Sequence, residues 1–227
     1  MNKDELIDFI AKSVNMTKED ATKALDVTTE AIASNLPFSE KILYSGEIFE
    51  LYEKTSRYNK DGEIQYKRFE YARRSPGVRG IIVKEDKILL TKEYRYELED
   101  WDYRLPGGKV YDSLEDYRMA LKEETILSDV QDAIKRELLE EVGIKISSPY
   151  LYYISKAGAT VIWDLYYFII DGFEFAKEGQ DLGDGENISY QWFSYTEIKD
   201  LIKKDLIKED RSIGIISKYI MQEDTDN

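Results

Sequence analysis

The chain has 227 residues and a formal net charge of −14, and 42% of its residues are hydrophobic and 13% aromatic. This length and composition predict a folded protein with one sizeable core, and the negative charge disfavours nonspecific binding to nucleic acid or to anionic membranes. The sequence has no cysteine, which excludes disulfides and thiolate metal sites. It also has no histidine, so a general base must be a carboxylate, a lysine, a tyrosine or a metal-bound hydroxide.

The N-terminal segment predicts neither a signal peptide nor a membrane span. It is polar from Met1 to Glu5 and lacks the apolar segment of a signal sequence. The longest apolar run, residues 161–170, is interrupted by Asp164 and predicts a buried strand rather than a membrane helix. We therefore expect a cytoplasmic protein.

Residues 1–37 predict a helical hairpin that forms a first domain. Each half carries an apolar stripe at helical spacing, and residues 17–20 form a capping signal for the second helix. Pro37 ends the second helix. The two stripes consist of Leu6, Ile7, Ile10 and Val14, and of Ala21, Ala24, Leu25, Thr28, Ala31 and Ile32.

This hairpin resembles the first two helices of the bacterial HU/IHF family of DNA-binding proteins. The matching residues are 1–8, 17–21, 23–26 and 31–32. The resemblance implies a dimerisation role, because these helices build the dimer body in that family while basic β-arms grip the DNA. We find no counterpart of the glycine–phenylalanine turn or of those basic arms in the residues that follow.

The charge of this segment also disfavours DNA contact. Residues 1–40 contain four lysines against eight acidic residues, which is the wrong sign for a segment that contacts phosphates. We therefore predict that the hairpin packs or dimerises, and we expect a homodimer with no nucleic-acid partner.

After the hairpin the periodicity becomes strand-like. Alternation predicts strands around the turn at 59–62, and a second hairpin turns at Glu85 and Asp86. Strands on both sides of a central helix predict an α+β layered domain over residues 38–227. The predicted strands are 42–54, 64–71, 80–83, 87–93, 150–156, 160–171 and 188–194, and the late helices are 196–203 and about 211–221, followed by a frayed segment 222–227.

The central stretch, residues 105–144, carries the chemistry. Glu137, Glu140 and Glu141 lie at i, i+3 and i+4 of an amphipathic helix, so their side chains share one face. Like charges at this spacing are unfavourable unless a cation lies among them, and carboxylate oxygens suit Mg²⁺ or Mn²⁺. A solvated acidic face is the alternative, but Arg136 within the acidic turn and the Gly143 stop favour a metal site.

This stretch resembles the Nudix box, whose pattern is G-x5-E-x7-R-E-U-x-E-E-x-G-U with U aliphatic. The first half matches at Gly108, preceded by residues 105–107. The arginine follows that glycine after 28 positions instead of 14, so an insertion of 14 residues, predicted as an extra helix at about 112–127, lies between the halves. The second half matches at Arg136, Glu137, Leu138, Glu140, Glu141, Gly143 and Ile144.

The first glutamate of the pattern is missing. Counting forward from the glycine reaches Leu114, and counting back from the arginine reaches Ser128. The sequence leaves open whether Glu115, Glu123 or Glu124 replaces it in space.

The resemblance implies a fold and a set of roles. The fold is a Nudix-type α/β/α sandwich with a mixed sheet, and the cofactor is Mg²⁺ or Mn²⁺. The implied metal ligands are Glu137, Glu140, Glu141 and the Gly107 carbonyl. The implied catalytic residues are Glu140, Glu141, Arg136 and Glu186, of which Arg136 orients the glutamates and Glu186 is the candidate base. Asp181 and Asp184 are the alternative candidates for the base. An ordinary turn of solvated acids is the alternative for the segment around Glu186.

The flanking sequence resembles the ADP-ribose pyrophosphatase branch of that family. Residues 92–96 lie where this branch carries a glutamine–tyrosine–arginine run, so Arg95, with Gly107 and Gly108, is implied in substrate binding. An aromatic residue near Tyr44 or Phe49 is expected to stack on the substrate.

The implied reaction is hydrolysis of a nucleoside diphosphate linked to a second group. ADP-ribose is the leading substrate and a nucleotide sugar the next, and the products are a nucleoside monophosphate and a sugar phosphate. One alternative is a nucleoside triphosphate or coenzyme pyrophosphohydrolase. Another is a catalytically weak ligand sensor that uses the HU-like hairpin.

Overall fold

The computed structural model describes residues 3–35, 37–183 and 186–226. The chain divides into two compact units, Met1–Ser45 with Glu50–Ala72, and Gly46–Phe49 with Arg73–Asn227. The helices are α1 (Lys3–Ser13), α2 (Lys18–Asn35), α3 (Leu114–Glu123), α4 (Ile126–Val142), α5 (Tyr195–Lys203) and α6 (Asp210–Asp226). The strands are β1 (Pro37–Ser45), β2 (Phe49–Lys60), β3 (Glu63–Arg74), β4 (Gly77–Lys84), β5 (Lys87–Arg95), β6 (Asp100–Arg104), β7 (Ile144–Lys145), β8 (Tyr150–Ser155), β9 (Val161–Ile162), β10 (Leu165–Ile170), β11 (Glu174–Phe175) and β12 (Ile188–Ser194).

The first unit contains the predicted helical hairpin. Its small core consists of Ile7, Ala11 and Ala21, and the Thr17 hydroxyl accepts the Asp20 N–H at 3.1 Å, which caps α2. Val14, predicted in the apolar stripe, is 60% exposed because α1 ends one residue before it. Residues 1, 2 and 36 of the predicted hairpin lie outside the described part of the chain.

The same unit carries strands β1, β2 and β3 side by side in that order. The turn between β2 and β3 is the predicted one, and its Gly62 N–H donates to the Asn59 side chain at 2.9 Å. The prediction of one strand over 42–54 was wrong. The chain turns after Gly46, whose N–H donates to the Phe49 carbonyl at 2.9 Å, so β1 and β2 are separate strands.

The second unit is built on a mixed sheet in the order β12-β5-β4-β10-β8, with β6 also paired to β5. Strands β4 and β10 run parallel, with Gly77 opposite Leu165 and Ile82 opposite Ile170. The pairs β12–β5, β4–β5, β5–β6 and β10–β8 are antiparallel.

Both faces of this sheet are buried under helices. Alternate residues of the strands divide between two apolar clusters, as the two-residue repeat of a strand requires. Val78 and Ile82 belong to the cluster that contains Ile134 and Leu138 of α4. Ile81, between them, belongs to the cluster that contains residues of α5 and α6. The α/β/α sandwich predicted from the sequence is therefore confirmed.

The inserted segment forms a helix, α3, immediately before α4. Ser113 caps α3 by accepting the Asp116 N–H at 3.1 Å. The Tyr111 hydroxyl donates to Asp129 of α4 at 2.6 Å, so the insertion is tied to the helix that it precedes.

One strand was not predicted from the sequence, and the predicted end of the last helix was wrong. No strand was predicted at 100–104, where β6 pairs with β5. The last helix does not end at 221 but continues to Asp226, because Lys199 pairs with Asp224 at 3.2 Å and Tyr152 bonds Gln222 at 2.5 Å. Asn227 lies outside the described residues, and no helix within the described ranges is long and apolar enough to cross a membrane.

Candidate active site

The loop between β6 and α3 lies against the start of β4. The Gly80 N–H donates to the Pro106 carbonyl and the Val78 N–H to the Gly108 carbonyl, both at 2.9 Å. Gly107 has φ +132°, and a Cβ there would overlap the Val78 carbonyl. Only glycine fits this position, because other residues avoid that backbone conformation and have no room for a side chain.

The acidic turn of α4 packs directly against this loop. A Cβ on Gly108 would overlap the Glu137 carboxylate, so a side chain there would displace that carboxylate from its present position. The Glu141 carboxylate accepts the Gly107 N–H at 2.7 Å. Arg136 donates to Glu137 at 3.1 Å and to the Lys109 carbonyl at 3.0 Å, so it orients a glutamate and the loop together.

Two of the three carboxylates have perturbed pKa values. Burial raises the pKa of Glu141 to about 7; the Gly107 N–H opposes this shift, and the nearby Glu137 charge adds to it. Burial also raises the pKa of Glu137, although Arg136 opposes the shift. Burial therefore disfavours the ionised forms of both carboxylates, and the neighbouring donors and arginines do not fully offset this effect on their pKa values.

These residues line a cleft of about 590 Å³. Its walls carry six basic and six acidic side chains, so the cleft is close to neutral in a chain whose net charge is −14. The basic residues are Arg74, Arg79, Arg95, Arg104, Lys109 and Arg136, and the acidic ones Glu93, Asp112, Glu137, Glu140, Glu141 and Glu186.

All eight site residues predicted from the sequence line this one cleft. They are Arg95, Gly107, Gly108, Arg136, Glu137, Glu140, Glu141 and Glu186. The Glu186 carboxylate accepts the Gly183 N–H at 2.9 Å, and Arg95 pairs with Glu93 at 3.0 Å and with Glu97. Of the reserve bases, Asp181 is not among the lining residues, and Asp184 lies outside the described part of the chain.

The candidates for the missing consensus glutamate do not reach the cleft. Glu115, Glu123 and Glu124 are exposed and absent from its lining, whereas Asp112, at the start of the insertion, lines it. Tyr44 belongs to the first unit. Phe49 lies beside Arg74, with the guanidinium 5.3 Å from the ring centroid.

Sequence reasoning missed Arg79. This residue is 5% exposed and donates to the Gly107 carbonyl at 2.6 Å, to the Val78 carbonyl at 2.9 Å and to Glu209 at 3.2 Å. An arginine in the otherwise apolar run 77–83 was the available signal, because arginine is almost never buried without a partner.

Two further arginines of the cleft have unmet hydrogen-bonding capacity. The Nε atoms of Arg74 and Arg104 are buried and have no hydrogen-bond partner among the described residues. Besides the Phe49 ring, Arg74 lies over the ring of Trp163 at 4.2 Å, and Arg211 lies over the same Trp163 ring at 4.1 Å. The Arg104 Nε also lies 3.9 Å from an Asp102 carboxylate oxygen, at ion-pair but not hydrogen-bond distance. Guanidinium donors that lack a hydrogen bond within the protein suit an anionic ligand with several oxygen atoms.

The donor set of the acidic turn fits a hard divalent cation. Three carboxylates lie on this turn, and a cation beside them would offset the cost that burial imposes on the ionised forms of Glu137 and Glu141. In this conformation no group of three acidic side chains in the described ranges is placed to ligate one ion. Glu141 accepts the Gly107 N–H and Glu137 accepts from Arg136 through one oxygen each, so both carboxylates keep lone pairs that could bind an ion.

Two family models match the chain. The model described as "NUDIX domain" matches residues 73–213, and the one described as "Bacterial DNA-binding protein" matches residues 1–62. The second match continues past residue 37, where the resemblance of the hairpin ended, and covers β1 and β2.

One curated relative and one solved structure illustrate these likenesses. The chain is 31% identical over 125 residues to the 8-oxo-dGTP diphosphatase of Buchnera aphidicola subsp. Schizaphis graminum (strain Sg), an alignment that covers 53% of this chain and 77% of that protein. A solved structure described as "Crystal structure of ADP compounds hydrolase" aligns with a TM-score of 0.58 and 15% identity, over 83% of this chain and 95% of that chain. At that identity the likeness shows the fold alone.

Proposed function

The chain belongs to the Nudix family and is a hydrolase of pyrophosphate bonds, and on this premise we propose its substrate class. The substrate is a nucleoside diphosphate linked to a second group, with ADP-ribose first and nucleotide sugars next. Hydrolysis releases a nucleoside monophosphate and a sugar phosphate.

One observation carries this proposal: the acidic turn and the arginines share one cleft. The carboxylates suit a cation, while the unmet donors of Arg74 and Arg104 suit phosphate oxygens. A diphosphate with its cation presents both partners at once. The near balance of charge on the walls also allows an anion to enter a chain whose net charge is −14.

We propose Mg²⁺ or Mn²⁺ as the cofactor, since Nudix hydrolases generally use divalent metals. Glu137, Glu140 and Glu141 would hold it, with the Gly107 carbonyl as a further donor. When bound, such an ion neutralises charge on the phosphate oxygens and lowers the pKa of water. The Gly107 carbonyl already accepts one hydrogen bond from Arg79 and keeps a second lone pair.

The other proposed roles belong to this chain's own side chains. Arg136 holds Glu137 in place, and Arg79 fixes the loop that carries Gly107. Arg95 and Glu186 both line the cleft, and we propose that Arg95 binds a phosphate or ribose oxygen and that the Glu186 carboxylate accepts the proton of the attacking water.

A second candidate is hydrolysis of a nucleoside triphosphate, which is favoured by the relative described as an 8-oxo-dGTP diphosphatase. The same cleft would bind the longer phosphate chain. The products distinguish the two, because a triphosphate releases inorganic pyrophosphate and a diphosphate-linked sugar releases a sugar phosphate.

A third candidate is a ligand sensor in which the N-terminal segment is the effector, which the match to the bacterial DNA-binding family favours. Against it, residues 1–40 contain twice as many acidic residues as lysines. A gel-shift assay with mixed genomic DNA tests this reading, and binding that survives physiological salt would support it.

We propose a domain organisation of residues 1–37 as an HU-like hairpin and 38–227 as the Nudix domain with its inserted helix. We further propose a homodimer through the hairpin, in the cytoplasm and without a nucleic-acid partner. We place the dimer contact at Phe9 and Val27, the apolar side chains on α1 and α2 that are 62% and 67% exposed.

A substrate panel with Mg²⁺ and identified products tests the proposal. The panel contains ADP-ribose, a nucleotide sugar, dinucleotides, a coenzyme and nucleoside triphosphates. We expect the fastest hydrolysis for a diphosphate-linked compound, with a nucleoside monophosphate among the products. Turnover confined to triphosphates would replace our first candidate with the second.

A further inference from the structure

A second cavity, of about 510 Å³, lies at the end of the β5–β6 hairpin. We call it the aromatic pocket, because its walls carry three aromatic side chains, Tyr94, Tyr96 and Trp101. Its volume is in the usual range of small-molecule sites.

The aromatic pocket adjoins the cleft. Glu93, Arg95 and Glu186 line both cavities. Arg95 pairs with Glu93 at 3.0 Å and also with Glu97, whose carboxylate lines the aromatic pocket but not the cleft. A ligand whose phosphates lie in the cleft can therefore extend past Arg95 into the aromatic pocket.

The three rings form one cluster around Tyr94. Its ring centroid lies 5.6 Å from that of Trp101 and 5.3 Å from that of Tyr96, with interplanar angles of 76° and 80°. Both neighbours thus meet Tyr94 edge to face, the usual geometry of aromatic pairs. Lys92 lies 4.7 Å from the Trp101 ring centroid and supports it further.

These rings serve neither apolar core of the sandwich. Strand β12 pairs with β5 only as far as Glu93, so Tyr94 and the loop that follows β5 lie beyond the end of β12 and pair only with β6 or with no strand. Trp101 remains 40% exposed and Tyr96 81% exposed. Adjacent exposed aromatic rings beside a cleft are typical of a binding surface rather than of structural packing.

We propose that the aromatic pocket binds the base of the nucleotide by stacking it on Trp101 and Tyr96, while the cleft holds the diphosphate. Every base has a flat π-face, which these rings can cover. Around them the pocket carries polar groups, including the Glu97 carboxylate and the Asn187 amide. Carboxylates accept hydrogen bonds from exocyclic amino groups, which favours an amino-bearing base such as adenine.

The inference rests on the proposed function and deepens it, because it assigns the base to residues that the sequence did not suggest. Removing a stacking ring should weaken binding of the base by about tenfold, which lies in the lower half of the range for a base on an aromatic side chain. The chemical step should be unaffected, since the reacting phosphate lies in the cleft.

The first test measures binding of AMP and of ribose 5-phosphate by calorimetry, in the full chain and its variants with Mg²⁺ present. We expect Trp101→Leu and Tyr96→Ser each to weaken AMP about tenfold and to leave ribose 5-phosphate unchanged. Tyr150→Ser is the control, because Tyr150 is a comparably exposed tyrosine, at 66%, on β8. Equal AMP affinity in all variants, or no AMP binding by the unmodified chain, would overturn the inference.

The second test separates this inference from the proposed function. With the best substrate of the panel, Trp101→Leu should raise KM about tenfold and leave kcat within about twofold. Unchanged KM with retained turnover would reject the aromatic pocket but keep the hydrolase. Weakened AMP binding in a chain that hydrolyses no diphosphate-linked compound would reject the proposed substrate class and support the pocket.

Discussion

At the scale of single residues, Arg79 joins parts of the chain that are distant in sequence. It lies on β4, contacts the Gly107 carbonyl in the site loop and pairs with Glu209, just before α6. Both charged side chains are almost fully buried. A buried pair of this kind is costly to break, because the remaining charge would be left without a partner.

Glu141 is the residue whose charge matters most to the proposed chemistry. Glu141→Gln keeps the shape of the side chain and an oxygen that can accept the Gly107 N–H. We expect the free energy of unfolding to fall by less than about 1 kcal/mol, because burial already disfavours the ionised form. Turnover with Mg²⁺ should fall by about a hundredfold or more.

Steady-state kinetics and thermal melting check this prediction. Glu115→Gln is the matched control, because Glu115 is exposed on α3 and does not line the cleft. Wild-type turnover in Glu141→Gln would refute the assignment.

The pairing of Glu209 predicts a pH-dependent stability. Burial alone would raise the pKa of Glu209, but Arg79 and the Ser212 hydroxyl outweigh it and hold that pKa below its usual value. A carboxyl with a lowered folded-state pKa contributes stability above its unfolded pKa of about 4.3, and this stability is lost as the pH falls through the folded value.

We therefore expect Glu209→Gln to lower the free energy of unfolding by about 3 kcal/mol at pH 7. The difference from the unmodified chain should shrink as the pH is lowered below about 4. Urea unfolding at pH 7 and at a pH below about 4 measures this difference in the free energy of unfolding. An equal difference at the two pH values would contradict the assignment.

At the scale of elements, the inserted helix α3 is an ordered part of the Nudix domain. Its connection to α4 depends on the Tyr111 hydroxyl, which donates to Asp129, as does the Thr125 hydroxyl, each at 2.6 Å. The Tyr111 ring also stacks on Tyr117 of α3, with centroids 5.7 Å apart. The insertion is therefore anchored at the end that leads to the cleft.

Removing the Tyr111 hydroxyl should destabilise the attachment of α3 to α4. Tyr111→Phe keeps the ring stacking and loses one hydrogen bond, so we expect a loss of about 1 kcal/mol. Amide hydrogen exchange in α3 should become faster than in α4. Tyr190→Phe on β12 serves as the comparison, and equal exchange in Tyr111→Phe and the unmodified chain would show that the hydroxyl does not anchor the insertion.

Patterns that repeat locally were predictable from the sequence, and contacts between distant segments were not. The acidic spacing of α4 and the Gly143 stop indicated the helix and its carboxylate face, and the apolar runs of β4 and β10 indicated buried strands. Arg104 gave no such signal, because its place in the cleft depends on the pairing of β6 with β5. The same holds for the end of α6, which is stabilised by Lys199 and Tyr152.

At the scale of the whole molecule, the chain combines two family matches, a bacterial DNA-binding model over residues 1–62 and a Nudix model over 73–213. The net negative charge of the chain does not extend to the cleft, whose walls carry as many basic as acidic side chains. The exposed apolar side chains of the hairpin are the surface to which we assign self-association.

The dimer proposal predicts that a charge on the hairpin separates the subunits. Phe9→Glu places a carboxylate on a side chain that is 62% exposed. We expect the mass in solution to halve while turnover per chain is unchanged. Light scattering measures the mass, and Ser13→Glu, on the same helix, controls for added charge. A monomeric unmodified chain would reject the proposal at once.

The central claim is that the acidic turn of α4 acts on a pyrophosphate bond through a divalent cation. It is tested most directly by following ADP-ribose hydrolysis in one preparation, first stripped with a chelator and then titrated with Mg²⁺. We predict no product in the stripped protein and a saturable rise in AMP and ribose 5-phosphate as Mg²⁺ is added. The same rate of product release with and without the ion would contradict the claim.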